Sequence, residues 1–251
     1  MPSFKAKAAK GKMFFVENIL IATTAALKTR RIFYILSGSW LLTVFYSFLF
    51  IPQSADDTFY FFSSLGFFHQ NNIGMFEGDS FSITFFQFPG YSLFNGLFLH
   101  VCSLIQIPLN HYTYKLFHRI LIIMILVLGF YFIKALNNNK KSRTLFHVNL
   151  YILILLLSPF SLNTLNVIRP EALGMVLILG GLLSYTHWKN KTSHKRNGLL
   201  VISGLLFGLS ATMHPIFLVI SGVGCFAIFL LEVRKQSFIY ALTFGFTALI
   251  P

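Results

Sequence analysis

Charge is scarce in this sequence: Asp, Glu, Lys and Arg make up 11% of the 251 residues, against roughly 25% in a soluble domain. With 55% hydrophobic residues and a mean hydropathy of +0.71, there is too little polar side chain to cover a water-facing surface. That shortage argues against a soluble globular fold. Acidic residues are scarcer still, 7 against 20 Lys and Arg. In a soluble protein this imbalance points to nucleic acid, but in a membrane protein it reflects basic cytoplasmic loops, and nucleic acid is set aside as a partner. The 2 cysteines, Cys102 and Cys225, both lie inside apolar runs, which excludes a disulfide framework and favours small packing residues. There is no Walker loop, dinucleotide fingerprint, HExxH motif or zinc spacing.

What the sequence has is long apolar stretches divided by hydrophilic punctuation. The basic N-terminus MPSFKAKAAKGK leads into Met13 to Leu27, which Glu17 and Asn18 interrupt. Lys28-Thr29-Arg30-Arg31 stands where a secretory signal would have its small-residue cleavage site, so residues 1–31 read as a cytoplasmic basic segment with an interfacial helix. Spans are expected at Ile32 to Ile51, Ile120 to Leu136, Leu145 to Phe160, Ala172 to Trp188, Leu199 to His214, Ile216 to Leu231 and Phe238 to Ile250. The expected fold is all-α: a polytopic transmembrane bundle of about seven spans, filling residues 32–251.

Orientation turns on a further stretch, Phe81 to Ile107. If it crosses the bilayer, about 10 of the 20 basic residues lie inside; if it lies along the outer surface, about 17 do. The second arrangement is the better one, and Pro89, Gly90, Asn95, Gly96, His100 and Gln106 suit an interface better than lipid. Residues 52–119 are then an external loop with membrane-parallel helices, one of them the aromatic run TFYFFSSLGFFHQNN.

This topology brings five of the seven acidic residues to the outer face: Asp56, Asp57, Glu77, Asp79 and Glu171. Arg169 and His214 join them. Rare ionisable groups converging on one membrane face make a candidate site, although helix ends also carry polar residues for no functional reason. Adjacent carboxylates such as Asp56 and Asp57 repel, and a cation or metal offsets the repulsion. One of them can serve as a general base toward a bound hydroxyl, with Asp57 favoured because it lies three positions from Tyr60; helix capping is the structural alternative. Arg169 can clamp a phosphate bidentately with Glu171 orienting it, or can snorkel to lipid headgroups. His214 can donate to a phosphate or serve structurally. Gly204 and Gly208 form a GxxxG pair that suits close helix contact.

The strings ADDTFYF, FQFPGYSLFNGLFL, NVIRPEALG and GLLFGLSATMHP, in that order, resemble the GT-C superfamily of membrane glycosyltransferases, such as protein mannosyltransferases and the aminoarabinose transferase of lipid A. The resemblance runs from about Ile32 to the end of the chain. It implies inverting transfer of a sugar from a polyprenyl-phosphate donor to an acceptor at the periplasmic or luminal face of an inner or plasma membrane. Asp56 and Asp57 would contact the acceptor or a divalent cation, magnesium or manganese. Arg169 and His214 would hold the lipid phosphate, with Glu171, Glu77, Asp79 and Tyr60 as further substrate-binding candidates. Members continue with more spans, so the expectation is a C-terminally incomplete core. The competing expectations are a transporter or lipid flippase, and an inactive fragment of a glycosyltransferase.

Overall fold

The computed structural model describes residues 21–50, 89–137, 141–158, 169–190, 196–233 and 238–250. Among these residues every regular element is a helix and there is no strand. A helical segment at 21–27 precedes α1 (Arg30–Phe50), α2 (Pro89–Leu104), α3 (His111–Leu136), α4 (Lys141–Leu157), α5 (Pro170–Asn190), α6 (Arg196–Ala211), α7 (Pro215–Val233) and α8 (Phe238–Leu249). Asp56, Asp57, Tyr60, Glu77 and Asp79 lie outside the described residues, as do the first part of the N-terminal segment and most of the external loop.

The helix boundaries have local causes. Asn110 is extended at φ −133° and ψ 173°, and its Oδ1 accepts the Thr113 N–H at 3.0 Å, an N-cap for α3. Pro170 and Pro215 open α5 and α7 at the first helical position, where the missing N–H costs nothing. At the end of α2 the Ile107 N–H reaches the Cys102 carbonyl at 2.9 Å and the Gln106 N–H reaches Ser103 at 3.1 Å. That is a Schellman turn, and it puts Gln106 at φ 58°, where glycine is usual. The Asn110 cap also explains why α3 starts at His111, well before the apolar stretch counted from Ile120. HYTYKLFHR holds no breaker, so the helix takes in Lys115, His118 and Arg119.

Tertiary contacts order the helices end to end. Asn190 Nδ2 donates to the Ala135 carbonyl at 3.3 Å, so α3 and α5 finish together and run parallel. The Phe33 and Phe130 rings lie 5.9 Å apart and the Lys115 Nζ sits 5.9 Å from the Phe48 ring, so α1 runs against α3. Ser203 Oγ donates to the Gly181 carbonyl at 2.8 Å, making α5 and α6 an antiparallel hairpin, and the bonded pair Ser210 and Ser221 does the same for α6 and α7. The bundle therefore has two distinct ends. At the first, α3, α5 and α7 begin and α1 and α6 finish. At the second, α1, α4 and α6 begin and α3 and α5 finish.

Two apolar clusters hold these helices. The larger joins α1 to α5 through Trp40, Val44, Leu121, Ile122, Ile152 and Leu173. The smaller joins the far end of α5 to α6, α7 and α8 through Trp188, Phe207, Ile228 and Phe244. A Cβ on Gly204 would come within 2.7 Å of the Phe244 carbonyl oxygen, so this glycine lets α6 and α8 touch closely. Of the two cysteines, Cys102 is buried and Cys225 half-buried, both as free thiols.

Among the described residues, two helical stretches, Arg30–Phe50 and Tyr112–Leu136, are long and apolar enough to cross a membrane by length and composition. Helix α5 is buried on nearly every side. The others present large apolar side chains outward, among them Leu42 at 70% exposure, Phe45 at 62%, Val223 at 65% and Phe246 at 68%.

Candidate functional site

Arg169, Pro170 and Glu171 form the entry to α5 at the first end. Proline fixes the first helical turn, and the carboxylate one residue later lies at the positive end of the helix dipole. Arg169 Nη1 stands 3.7 Å from Glu171 Oε1, an ion pair too long to count as a hydrogen bond. The arginine side chain keeps 36% of its surface exposed while the glutamate keeps 10%. Its second oxygen, Oε2, is buried with no hydrogen-bond partner among the described residues. Such an oxygen is placed to accept from a hydroxyl, an amine or a water.

His214 belongs to the same end and caps α7. Its carbonyl accepts from the N–H of Phe217 at 2.9 Å, and its Nδ1 accepts from that of Ile216 at 3.3 Å. With Nδ1 as acceptor, the neutral ring carries its proton on Nε2 and can donate from there. The preceding turn is held by α2, because the Gly90 N–H donates to the Thr212 carbonyl at 3.2 Å. A Cβ on Gly90 would sit 2.8 Å from that oxygen, so only glycine allows this approach.

The middle of α2 meets the start of α3. Asn95 is fully buried and its Nδ2 donates to the Tyr114 hydroxyl at 2.9 Å, while Phe98 stacks on Phe117 at 4.3 Å. Asn95 Oδ1 has no hydrogen-bond partner among the described residues. One residue beyond Tyr114 begins a set the sequence reading left inside the loop: Lys115, His118 and Arg119, at 4%, 0% and 3% exposure. Their spacing of three and four residues puts them on one helix face. Tyr91, Tyr114, Leu121, Ala172, Leu173 and Met213 share one apolar cluster, which ties this face to the entry of α5 and the turn before α7. The signal that would have found the three residues is Lys-x-x-His-Arg running without a break into an apolar helix.

No family model matches this chain, and no curated protein or solved structure is similar to it.

Of the residues expected at the site, Arg169 and Glu171 are paired, and His214 lies at the same end of the bundle. Asp56, Asp57, Tyr60, Glu77 and Asp79 fall outside the described residues, so the carboxylate pair that would act as base or hold a metal has no geometry to report. Among the described residues no group of three or more His, Cys, Asp or Glu could hold a metal ion. An apolar cavity of about 430 Å³ lies between α6, α7 and α8, lined by Gly208, Ala211, Gly222, Gly245 and Phe246 among others.

Proposed function

We propose that this chain is a multi-pass membrane glycosyltransferase of about seven spans, which moves a sugar from a polyprenyl-phosphate donor to an acceptor at the outer face. The observation that carries this reading is the gathering of ionisable groups at one end of the bundle, where Arg169 and Glu171 pair beside a buried cationic face of α3. The membrane part is supported by apolar side chains that point outward from α1, α7 and α8, which lipid accommodates and water does not. Helix α2 touches its neighbours at the first end, as a helix lying in the outer interface does. The basic residues described at the second end are exposed, in keeping with a cytoplasmic side.

In this reading Asp57, with Asp56 beside it, takes the proton from the acceptor hydroxyl or amine; a divalent cation, if the two carboxylates held one, would polarise the acceptor. The acceptor heteroatom bonds to the anomeric carbon from the face opposite the phosphate, the bond to the phosphate oxygen breaks, and the configuration inverts. The phosphate leaves as a monoester with an added negative charge, which Arg169 and a donating His214 Nε2 stabilise. The cavity between α6, α7 and α8 is of a chemistry to take the lipid tail. A transporter would instead gather its ionisable groups near mid-depth.

The test is transfer from a labelled polyprenyl-phosphate sugar by the purified, reconstituted chain. Replacing Asp56 and Asp57 together by Asn lowers turnover by about 100-fold or more while the protein stays folded, as loss of a general base does. Unchanged transfer by that double variant would end this assignment of the site.

A further inference from the structure

Where α1 begins and α3 ends, at the second end of the bundle, exposed cations stand next to exposed apolar side chains. The Phe33 and Phe130 rings, 5.9 Å apart, fix how these two antiparallel helices face each other. Each further residue turns a helix by roughly 100°, and because the two run in opposite directions, a step of one residue turns both toward the same side of the pair. Tyr34 and Tyr131, the residues after Phe33 and Phe130, therefore point to one side, and they keep 68% and 50% of their surface exposed. Arg30 lies four residues before Tyr34 and Lys134 three residues after Tyr131, so each cation shares its tyrosine's face, one turn nearer the helix end. Helix α4 covers the opposite side, because the Tyr151 ring lies over Gly129, the residue before Phe130. The result is an open groove between α1 and α3, with Arg30 and Lys134 at its mouth and the two tyrosines beneath them. Farther from that end, Leu41, Phe45 and Val127 are exposed along the two helices.

Arg30 and Lys134 are both exposed, and neither has an ion-pair partner among the described residues. Arg30 opens α1, whose first turn holds no acidic residue, so the positive end of the helix dipole adds to its charge. Lys28, Arg31 and Arg143, also exposed at this end, add to the same potential. A ligand for this groove carries negative charge at its head and apolar chains below it, in that order along the helix axis. An anionic phospholipid has that layout. A free anion would leave the tyrosines and the apolar side chains uncovered, and an acidic soluble protein would have to enter the hydrocarbon to reach them.

We infer that the groove between α1 and α3 at the second end binds an anionic phospholipid, with its phosphate between Arg30 and Lys134 and its acyl chains along Tyr34, Tyr131, Leu41 and Val127. Arg30 offers a planar fork to two phosphate oxygens, and Lys134 a point charge. Tyr34 and Tyr131 sit between headgroup and chain, where an aromatic ring with a polar tip is favoured. A zwitterionic lipid brings its own cation to the phosphate and is held less tightly. The inference rests on the membrane part of the proposed function and not on sugar transfer.

The full chain in detergent is titrated with dioctanoyl phosphatidylglycerol, with dioctanoyl phosphatidylcholine and with inorganic phosphate. Binding is followed by the rise in Tm and by phosphorus resonance broadening. Saturable binding of the phosphatidylglycerol, at least tenfold tighter than of either other probe, is expected. Arg30→Gln combined with Lys134→Gln is expected to weaken it tenfold or more. Arg31→Gln combined with Arg143→Gln removes the same charge from outside the groove, since Arg31 is turned away from Arg30 and Arg143 is on α4; it is expected to change affinity less than twofold. If the first pair does not fold, its two single variants carry the same comparison. Equal weakening by both pairs means that diffuse charge rather than a groove attracts the lipid, and overturns the site. Equal affinity for the two lipids, or for inorganic phosphate, overturns it as well, as does no saturable binding by the wild type. Phosphatidylglycerol binding by a chain that transfers no sugar keeps the site and removes the transferase reading; transfer without such binding does the reverse.

Discussion

The two ends of the bundle carry the same kinds of basic side chain in opposite states. At the second end Lys134, Lys141, Arg143, His147, His187 and Lys189 are exposed. At the first end Lys115, His118 and Arg119 are buried. An exposed lysine keeps its hydration and adds little to stability, whereas a buried one must be met by the fold or by a ligand. Charge at the second end therefore bears on orientation and solvation. Charge at the first end is part of how the helices pack there.

Substitution of matched arginines is the strongest way to break this contrast. Arg119→Ala is expected to destabilise the protein by about 3 kcal/mol, through a cavity and a broken buried charge arrangement. Arg143→Ala is expected to stay within about 0.5 kcal/mol of wild type, as surface changes do. Denaturant unfolding in a fixed detergent reads both. Equal losses would mean that burial at the first end carries no special cost.

Much of the helix layout is legible in the sequence, and the burial that separates the two ends is not, for a physical reason. Each apolar stretch expected as a span falls on a described helix, because interruptions such as Pro170, Pro215 and the Lys189 to Arg196 run are local signals that need no partner. Arg169 and Glu171 stand out for the same reason, as ionisable residues either side of a proline at a helix start. Whether a residue is buried, in contrast, depends on which helix covers it. Lys115 gains its surroundings from Phe48 on α1 and Asn95 from Tyr114 on α3, contacts that local pattern does not encode. His214 shows a third case, since its capping bond to Ile216 follows from the proline beside it and leaves Nε2 for any further role.

Glycines sharpen the comparison next. Gly90→Ala is expected to cost about 1–3 kcal/mol, because the added methyl would be 2.8 Å from the Thr212 carbonyl oxygen and α2 would have to shift. Gly198, near the start of α6 at the second end, has nothing within 4 Å of its added Cβ. Gly198→Ala is expected to stabilise by about 0.5–1 kcal/mol from helix propensity alone. Melting of the two variants beside wild type checks the opposite signs, and a destabilised Gly198→Ala would show that the second end is packed more tightly than its exposure indicates.

Asn110 and Asn149 offer a smaller contrast, one asparagine serving each end. Asn110→Ala removes the cap of α3 and is expected to cost about 1 kcal/mol. Asn149 Nδ2 donates to the Leu27 carbonyl at 2.7 Å and to that of Thr29 at 3.1 Å, tying the entry of α1 to α4. Asn149→Ala leaves those carbonyls to water and is expected to cost about 1–2 kcal/mol. Frayed amide exchange should then appear at the start of α3 in the first variant and at residues 27–30 in the second. Loss of protection at both places in either variant would mean that the ends unfold as one unit.

The smallest effect is at Gln106, where the backbone at φ 58° is left-handed and the side chain is exposed. An L-residue there meets a clash between Cβ and its own backbone that glycine lacks, a difference of roughly 1 kcal/mol, and glycine gives part of it back as entropy in the unfolded chain. Gln106→Gly is therefore expected to raise stability by about 0.5–1 kcal/mol, whereas Gln106→Val, β-branched at the same φ, should lower it by about 1 kcal/mol or more. The two Schellman bonds from Gln106 and Ile107 back to Ser103 and Cys102 should persist in the glycine variant, so slower amide exchange at Ile107 would accompany the gain. A glycine variant no more stable than wild type would show that the turn between α2 and α3 is set by the Asn110 cap and the Thr113 hydroxyl bond to the Pro108 carbonyl, and that the strain at Gln106 is relieved elsewhere.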